Sequence, residues 1–329
     1  MAEVIRILLF YVRHGASSIR LDAIGYIWKV LGSASVHERG THALLEIVHG
    51  VMQIAAPKVL TVAEVNEPQS RCIEYLGHTE APECDMVYQF AAFPLAIHAT
   101  MRGDARHYAG WLDTLHPFKG RQFITVLGSH DGLSQKQARE LLPAPELEVL
   151  QKTLIEERGG LANYASAAGE KIVYEICGTP WTLVNGQDPD SETLDLQIAR
   201  YVAVLCLGLL PRGMPGLYIN GLLGTSNYTP PEGIDENRTV NRQCFDIEKL
   251  CAALDDADSR EATVFQAMQA VLAARMQIPH FDRDAPPPSI VKDTSKQILA
   301  AVLYPLPSAH EPPILVLINV SSKPAQAQL

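Results

Sequence analysis

Apolar residues recur at helical spacing over residues 2–13 (Val4, Ile5, Leu8, Leu9, Val12), and the run stops at His14-Gly15, a helix C-terminal signal. Residues 18–21 read as a short buried strand carrying one cation, Arg20, with Asp22 at its C-terminal end. A helix before that strand is an odd opening, because its apolar face needs a partner and nothing precedes it. Residues 41–52 then predict an amphipathic helix and 58–63 a second strand with Glu64 at its end. A third strand is expected over 86–90 and a fourth over 122–127, followed by Gly128-Ser129-His130-Asp131-Gly132. Helical pieces are predicted at 94–100 and 108–115. Residues 133–189 read as a long insertion, helical over 146–158. A strongly apolar helix is predicted over 191–210, a fifth strand over 216–219 and another helix over 259–276. Beyond Asp282 the pattern changes to short alternating strands, 297–304 and 313–320, between proline-rich turns.

Strand and helix in alternation, with polar residues at strand C-termini, is the pattern of a parallel α/β sheet or barrel. In a (β/α)8 barrel the chemistry sits on the loops that follow the strands. Asp22, Glu64 and Asp131 all stand there. Taken alone, Arg20-x-Asp22 is more often a structural ion pair at a strand end than a site. As a set, the three carboxylates fit retaining glycoside chemistry. One ionised carboxylate attacks the sugar, a second in a partly apolar setting gives and takes the proton, and a third stabilises the cationic transition state. Asp22 beside Arg20 suits the first role and Glu64, after Leu60 and Val62, the second. His130-Asp131 offers a donor and an acceptor for adjacent sugar hydroxyls.

Composition narrows the partners. In 329 residues, 27 Lys and Arg against 37 Asp and Glu give a net charge of −10 with no basic cluster, which argues against nucleic acid. Six cysteines without Cys-x-x-Cys spacing read as reduced residues of a cytoplasmic protein. The N-terminus lacks a secretory signal's charge pattern, and Pro211-Arg212-Gly213 breaks the most apolar stretch, so no membrane span is expected. His37, His42 and His49 share no recognised ligand spacing with a carboxylate or cysteine, so no metal is expected.

Several motifs carry a family likeness. Arg20-Leu21-Asp22-Ala23, Glu64 and Ser129-His130-Asp131 resemble, in order, three active-site motifs of the α-amylase superfamily. Ile24-Gly25-Tyr26-Ile27-Trp28-Lys29, Glu64-Val65-Asn66-Glu67-Pro68, Met86-Val87-Tyr88-Gln89-Phe90, Tyr174-Glu175 and Val240-Asn241-Arg242 are similar to its sucrose phosphorylase branch and the glucosylglycerate phosphorylases within it. Gln69 and Glu38-Arg39-Gly40 depart from that pattern. The resemblance implies a partial (β/α)8 barrel, strands four to eight, over residues 1–280, and a truncated antiparallel β domain over 281–329. It implies Asp22 as nucleophile, Glu64 as acid/base and Asp131 as transition-state stabiliser. Arg20, His130, Asn241 and Arg242 are then the substrate-binding residues. Phosphate would be the co-substrate, a small α-glucoside the donor, and no cofactor is needed. The chain reads as the C-terminal part of a longer enzyme with little activity alone. A hydrolase or transglucosidase of the same superfamily, or an inactive carbohydrate-binding piece, are the alternatives, and the oligomeric state is left open.

Overall fold

The computed structural model describes residues 1–115, 120–167, 169–188, 192–282, 284–292 and 295–327. Of these, 1–89 with 120–124 form one compact unit and 90–115 with 125–327 a second. Strands β1 (Ser18–Leu21), β2 (Leu60–Ala63), β3 (Met86–Gln89), β4 (Gln122–Leu127) and β8 (Met214–Leu217) follow the order β1-β2-β3-β4-β8, and β4 has residues in both units. The β1–β2 and β2–β3 pairs are parallel. The expected strands are therefore neighbours in one five-stranded sheet with β1 at an edge.

In the first unit the N-terminal helix, Ala2–Arg13, finds its partner downstream. Its Leu8 joins Ile19, Val48, Met52, Ala56 and Val59 in one cluster, with Val4, Leu9 and Val12 packed against it. The helix Arg39–Ala55 contributes Val48 and Met52 to that cluster. β1 is less buried than its sequence suggests: Ile19 is covered, whereas Ser18 and Arg20 are open. A strand paired on one side only has no second neighbour to cover it.

In the second unit, helices Ala92–Arg102 and Leu194–Leu209 pack together. Ser191, where the latter was expected to begin, lies outside the described residues. The fully buried Tyr108 ties the pair to the helix Arg106–Leu112, its hydroxyl donating to the Leu207 carbonyl at 2.5 Å. The insertion after β4 differs from its sequence reading. A helix, Ala144–Lys152, is present, but the segment also builds an antiparallel sheet of β5 (Leu133–Ser134), β7 (Glu170–Cys177) and β6 (Leu161–Ala167), in that order. Tyr164, Ile172 and Val173 lack strict alternation, so the hairpin carries no clear period-2 signature. Near the C-terminus β9 (Ser289–Ile290), β10 (Ile298–Leu303) and β11 (Ile314–Asn319) form the expected antiparallel sheet, with β10 central and almost wholly buried.

Gly208 lets its helix approach β4 closely. A Cβ there would stand 2.1 Å from Cδ2 and 3.0 Å from Cγ of Leu127, which is itself 2% exposed. Alanine would gain about 1 kcal/mol in helix propensity, yet forcing a packed leucine off its rotamer costs roughly 1–3 kcal/mol. Gly208→Ala is therefore expected to lower the thermal unfolding midpoint. A rise would contradict this close approach.

Candidate active site

The first part of the site follows from strand register. Leu21 of β1 pairs with Ala63 of β2, and the Glu64 N–H continues the ladder by donating to the Leu21 carbonyl at 3.1 Å. The residues that follow the two strands, Asp22 and Glu64, thus leave the sheet at the same level. Arg20 gathers both. Its Nη1 lies 2.5 Å from Asp22 Oδ1 and its Nη2 lies 3.8 Å from Glu64 Oε2. The Arg20 guanidinium also sits over the ring of Tyr88 on β3, 5.5 Å from its centroid. Burial works against the Arg20 charge, but Glu64, Tyr88 and Asp22 outweigh it and hold the group above its ordinary range.

Ala23 completes this arrangement. Its φ of 45° lies in the left-handed region that non-glycine residues seldom enter, and its N–H donates to Glu64 Oε2 at 2.8 Å. The two carboxylates differ in surroundings. The Glu64 side chain is 13% exposed and that of Asp22 is 72% exposed. Glu64 is the shielded member and Asp22 the open one.

The second part is built around the loop after β4. Gly128 turns the chain with φ of 89°, where a Cβ would meet Pro180 Cγ at 2.3 Å. Ser129 Oγ accepts from the Asp131 N–H at 3.1 Å, tightening the turn. Asn241 clamps it from behind: fully buried, it donates from Nδ2 to the Ser129 and Asp131 carbonyls at 3.1 and 3.0 Å. Arg242 donates through Nε to the His130 carbonyl at 2.8 Å and through Nη2 to Asp131 Oδ1 at 3.3 Å. His130 Nε2 lies 3.6 Å from Asp131 Oδ2. Asp131 lines a narrow cleft with Phe90, Phe93, Gly132 and Leu183.

Sequence reasoning assigned no role to two residues that organise this loop. Arg238 reaches Asp131 Oδ1 at 2.8 Å, and it holds Glu175 at two points, Nη2 to Oε1 at 2.9 Å and Nε to Oε2 at 3.1 Å. Glu175, on β7 and almost wholly buried, also accepts from the Gly132 N–H at 2.8 Å and the Asn163 amide at 2.8 Å. Burial disfavours the Arg238 charge, but Glu175 and Asp131 more than compensate, so the guanidinium stays well above its usual range. Burial and the adjoining Glu175 carboxylate push the Cys177 thiol up to about 12, which keeps it protonated. The available signal was the four-residue spacing of Arg238 and Arg242 in an acidic chain. The structure thus gathers Arg20, Asp22 and Glu64 in one cluster of the first unit, and His130, Asp131, Asn241 and Arg242 in one cluster of the second.

Removing Arg238 strands a buried carboxylate, whereas removing Arg242 does not. Arg238→Met is expected to cost roughly 3 kcal/mol, the lower end for breaking a buried pair because the guanidinium side chain is 29% exposed. Arg242→Met, at a 37% exposed side chain, is expected to cost under about 1 kcal/mol. Chemical denaturation of the two variants measures the difference. An equal loss, or the reverse order, would show that Glu175 does not depend on Arg238.

No family model matches the chain. Among curated proteins it is 33% identical over 327 residues to a glucosylglycerate phosphorylase of Spirochaeta thermophila, covering 98% of this chain and 53% of that protein. It is 36% identical over 288 residues to a glucosylglycerate phosphorylase of Allomeiothermus silvanus, covering 87% of this chain and 51% of that protein. In fold it is similar to sucrose 6F-phosphate phosphorylase from Thermoanaerobacter thermosaccharolyticum, with a TM-score of 0.76 at 17% identity over 96% of this chain and 58% of the other. The chain spans about half the length of the curated relatives it matches. In sequence the chain is thus similar to glucosylglycerate phosphorylases, and in fold to a sucrose 6F-phosphate phosphorylase.

Proposed function

We propose that the chain carries the catalytic carboxylates of a retaining α-glucosyl phosphorylase acting on a small glucoside, glucosylglycerate before sucrose. The observation that bears most weight is the single guanidinium of Arg20 shared by Asp22 and Glu64 at neighbouring strand ends. A double displacement needs two carboxyl groups about 5 Å apart, one open to attack carbon and one shielded to manage a proton. The exposure of Asp22 and the cover over Glu64 support that division. The choice of glucosylglycerate rests on the relatives of 33% and 36% identity, which bear that name.

On this reading Asp22 attacks the anomeric carbon while Glu64 protonates the departing glycosidic oxygen, leaving a covalent glucosyl-enzyme. Phosphate then attacks the same carbon, Asp22 leaves, and α-glucose 1-phosphate is released with net retention. Glu64 takes up the phosphate's proton, if one is present, in that second step. Asp131 stabilises the positive charge on the ring, and His130 donates to a ring hydroxyl. Arg242, partly exposed, is suited to a sugar oxygen or to phosphate because its planar fork bonds two oxygens at once. Asn241, expected to bind substrate, is fully buried and donates its Nδ2 to the loop carbonyls, so on this reading it positions the loop. The chain acts as the C-terminal part of a longer catalytic unit and turns over little by itself.

The test is product analysis on the protein that carries this chain, given glucosylglycerate or sucrose with and without phosphate. Phosphate-dependent release of α-glucose 1-phosphate is expected, and Asp22→Asn should cut it roughly 10³-fold or more with the circular dichroism spectrum unchanged. Free glucose formed equally well without phosphate would make it a hydrolase. Near-normal turnover in Asp22→Asn would remove Asp22 from the nucleophile's place.

A further inference from the structure

We propose that His37, His42 and Glu74 form a binding site for one divalent transition-metal ion of zinc type. All three belong to the first unit, on the loop after β1, at the start of the helix Arg39–Ala55 and on the turn Ile73–Leu76. One ligand atom from each lies within 4.8 Å of the others. His42 Nε2 stands 3.2 Å from His37 Nδ1, while Glu74 Oε2 stands 3.2 Å from the other nitrogen of that ring, Nε2, so the Glu74 side chain must turn to face an ion held between the two histidines. The spacing between the two histidine nitrogens is that of two ligands on one ion. Metal–nitrogen bonds of about 2.0–2.1 Å at a tetrahedral angle separate their donors by about 3.3 Å. The sequence reading found no carboxylate in register with these histidines. The fold brings Glu74 to them from a distant turn.

Glu83 supplies an independent mark of a metal site. Both its oxygens lie within hydrogen-bond distance of His42 Nδ1, at 2.9 and 3.0 Å, and its side chain is 6% exposed. A buried carboxylate on Nδ1 places the proton there and leaves the Nε2 lone pair facing His37. This is the support that metal-bound histidines ordinarily have. His37 is itself fixed: its backbone sits at φ 58°, and its N–H donates to the Gly25 carbonyl at 3.1 Å. Two imidazoles and one carboxylate suit zinc, cobalt or nickel better than calcium or magnesium, which favour all-oxygen ligands. The Glu74 side chain is 58% exposed, so it can rotate onto the ion and leave a coordination position for water. An ion here would brace the loop that follows Asp22, independently of the phosphorylase reading.

The test is metal binding by the untagged, chelator-stripped protein, titrated with cobalt and followed by its visible absorption, then displaced by zinc. One ion per chain and a rise in unfolding temperature with zinc are expected. His42→Gln should weaken binding at least 100-fold. Glu74→Gln, at an exposed position that leaves the fold intact, should weaken it about tenfold. Glu83→Gln should weaken it 10–100-fold, because the carboxylate no longer directs the His42 lone pair. Absence of stoichiometric binding would overturn the proposal and make the His37–His42 contact a shared-proton hydrogen bond. Binding unchanged in Glu74→Gln and Glu83→Gln would also overturn it, by placing the ion elsewhere.

Discussion

The arrangement rests on one guanidinium that holds two carboxylates. Arg20 leaves β1 two residues before Asp22, and the register of β1 on β2 delivers Glu64 to the same group. Without it, two anions would meet at adjoining strand ends with little to offset their repulsion. The surroundings then set the two carboxylates apart. The covered Glu64 receives a fixed N–H from Ala23, whose backbone lies in the strained left-handed region. Asp22 keeps its open face.

A similar economy shapes the second cluster. The loop after β4 has no regular structure to hold it, so its carbonyls and N–H groups are met one by one by Asn241, Arg242 and Glu175. Glu175 is costly to bury, and Arg238 offsets that cost by bonding it at two points while reaching Asp131. The ionic network therefore fixes where the Asp131 carboxylate sits. The cleft wall beside it is apolar, formed by Phe90, Phe93 and Leu183.

Much of this was legible in the residues. Strand β1 and the helix Ala2–Arg13 fall where periodicity put them, because a 3.6-residue stripe and a bounded apolar run are local signals. The carboxylates at strand ends were legible for the same reason. Other features were not local. The β6–β7 hairpin hides in a sequence without alternation, and the partner of the first helix lies beyond β1. Arg238 carried no signal of its own in the sequence, and only the fold sets it against Glu175. Glu74 could not be matched to His37 and His42 by spacing, since a turn distant in sequence carries it. The hairpin apart, each miss is a contact between segments far apart along the chain, which composition and period do not encode.

The central claim is that Asp22 is the carboxylate that bonds to sugar, with Glu64 as its proton partner. Mass spectrometry of the Glu64→Gln variant, in the protein that carries this chain, tests it after reaction with α-glucosyl fluoride. Such a donor needs no acid to leave, so the covalent intermediate accumulates. A hexosyl adduct on the peptide containing Asp22 is the result this account requires. An adduct on another residue would contradict it.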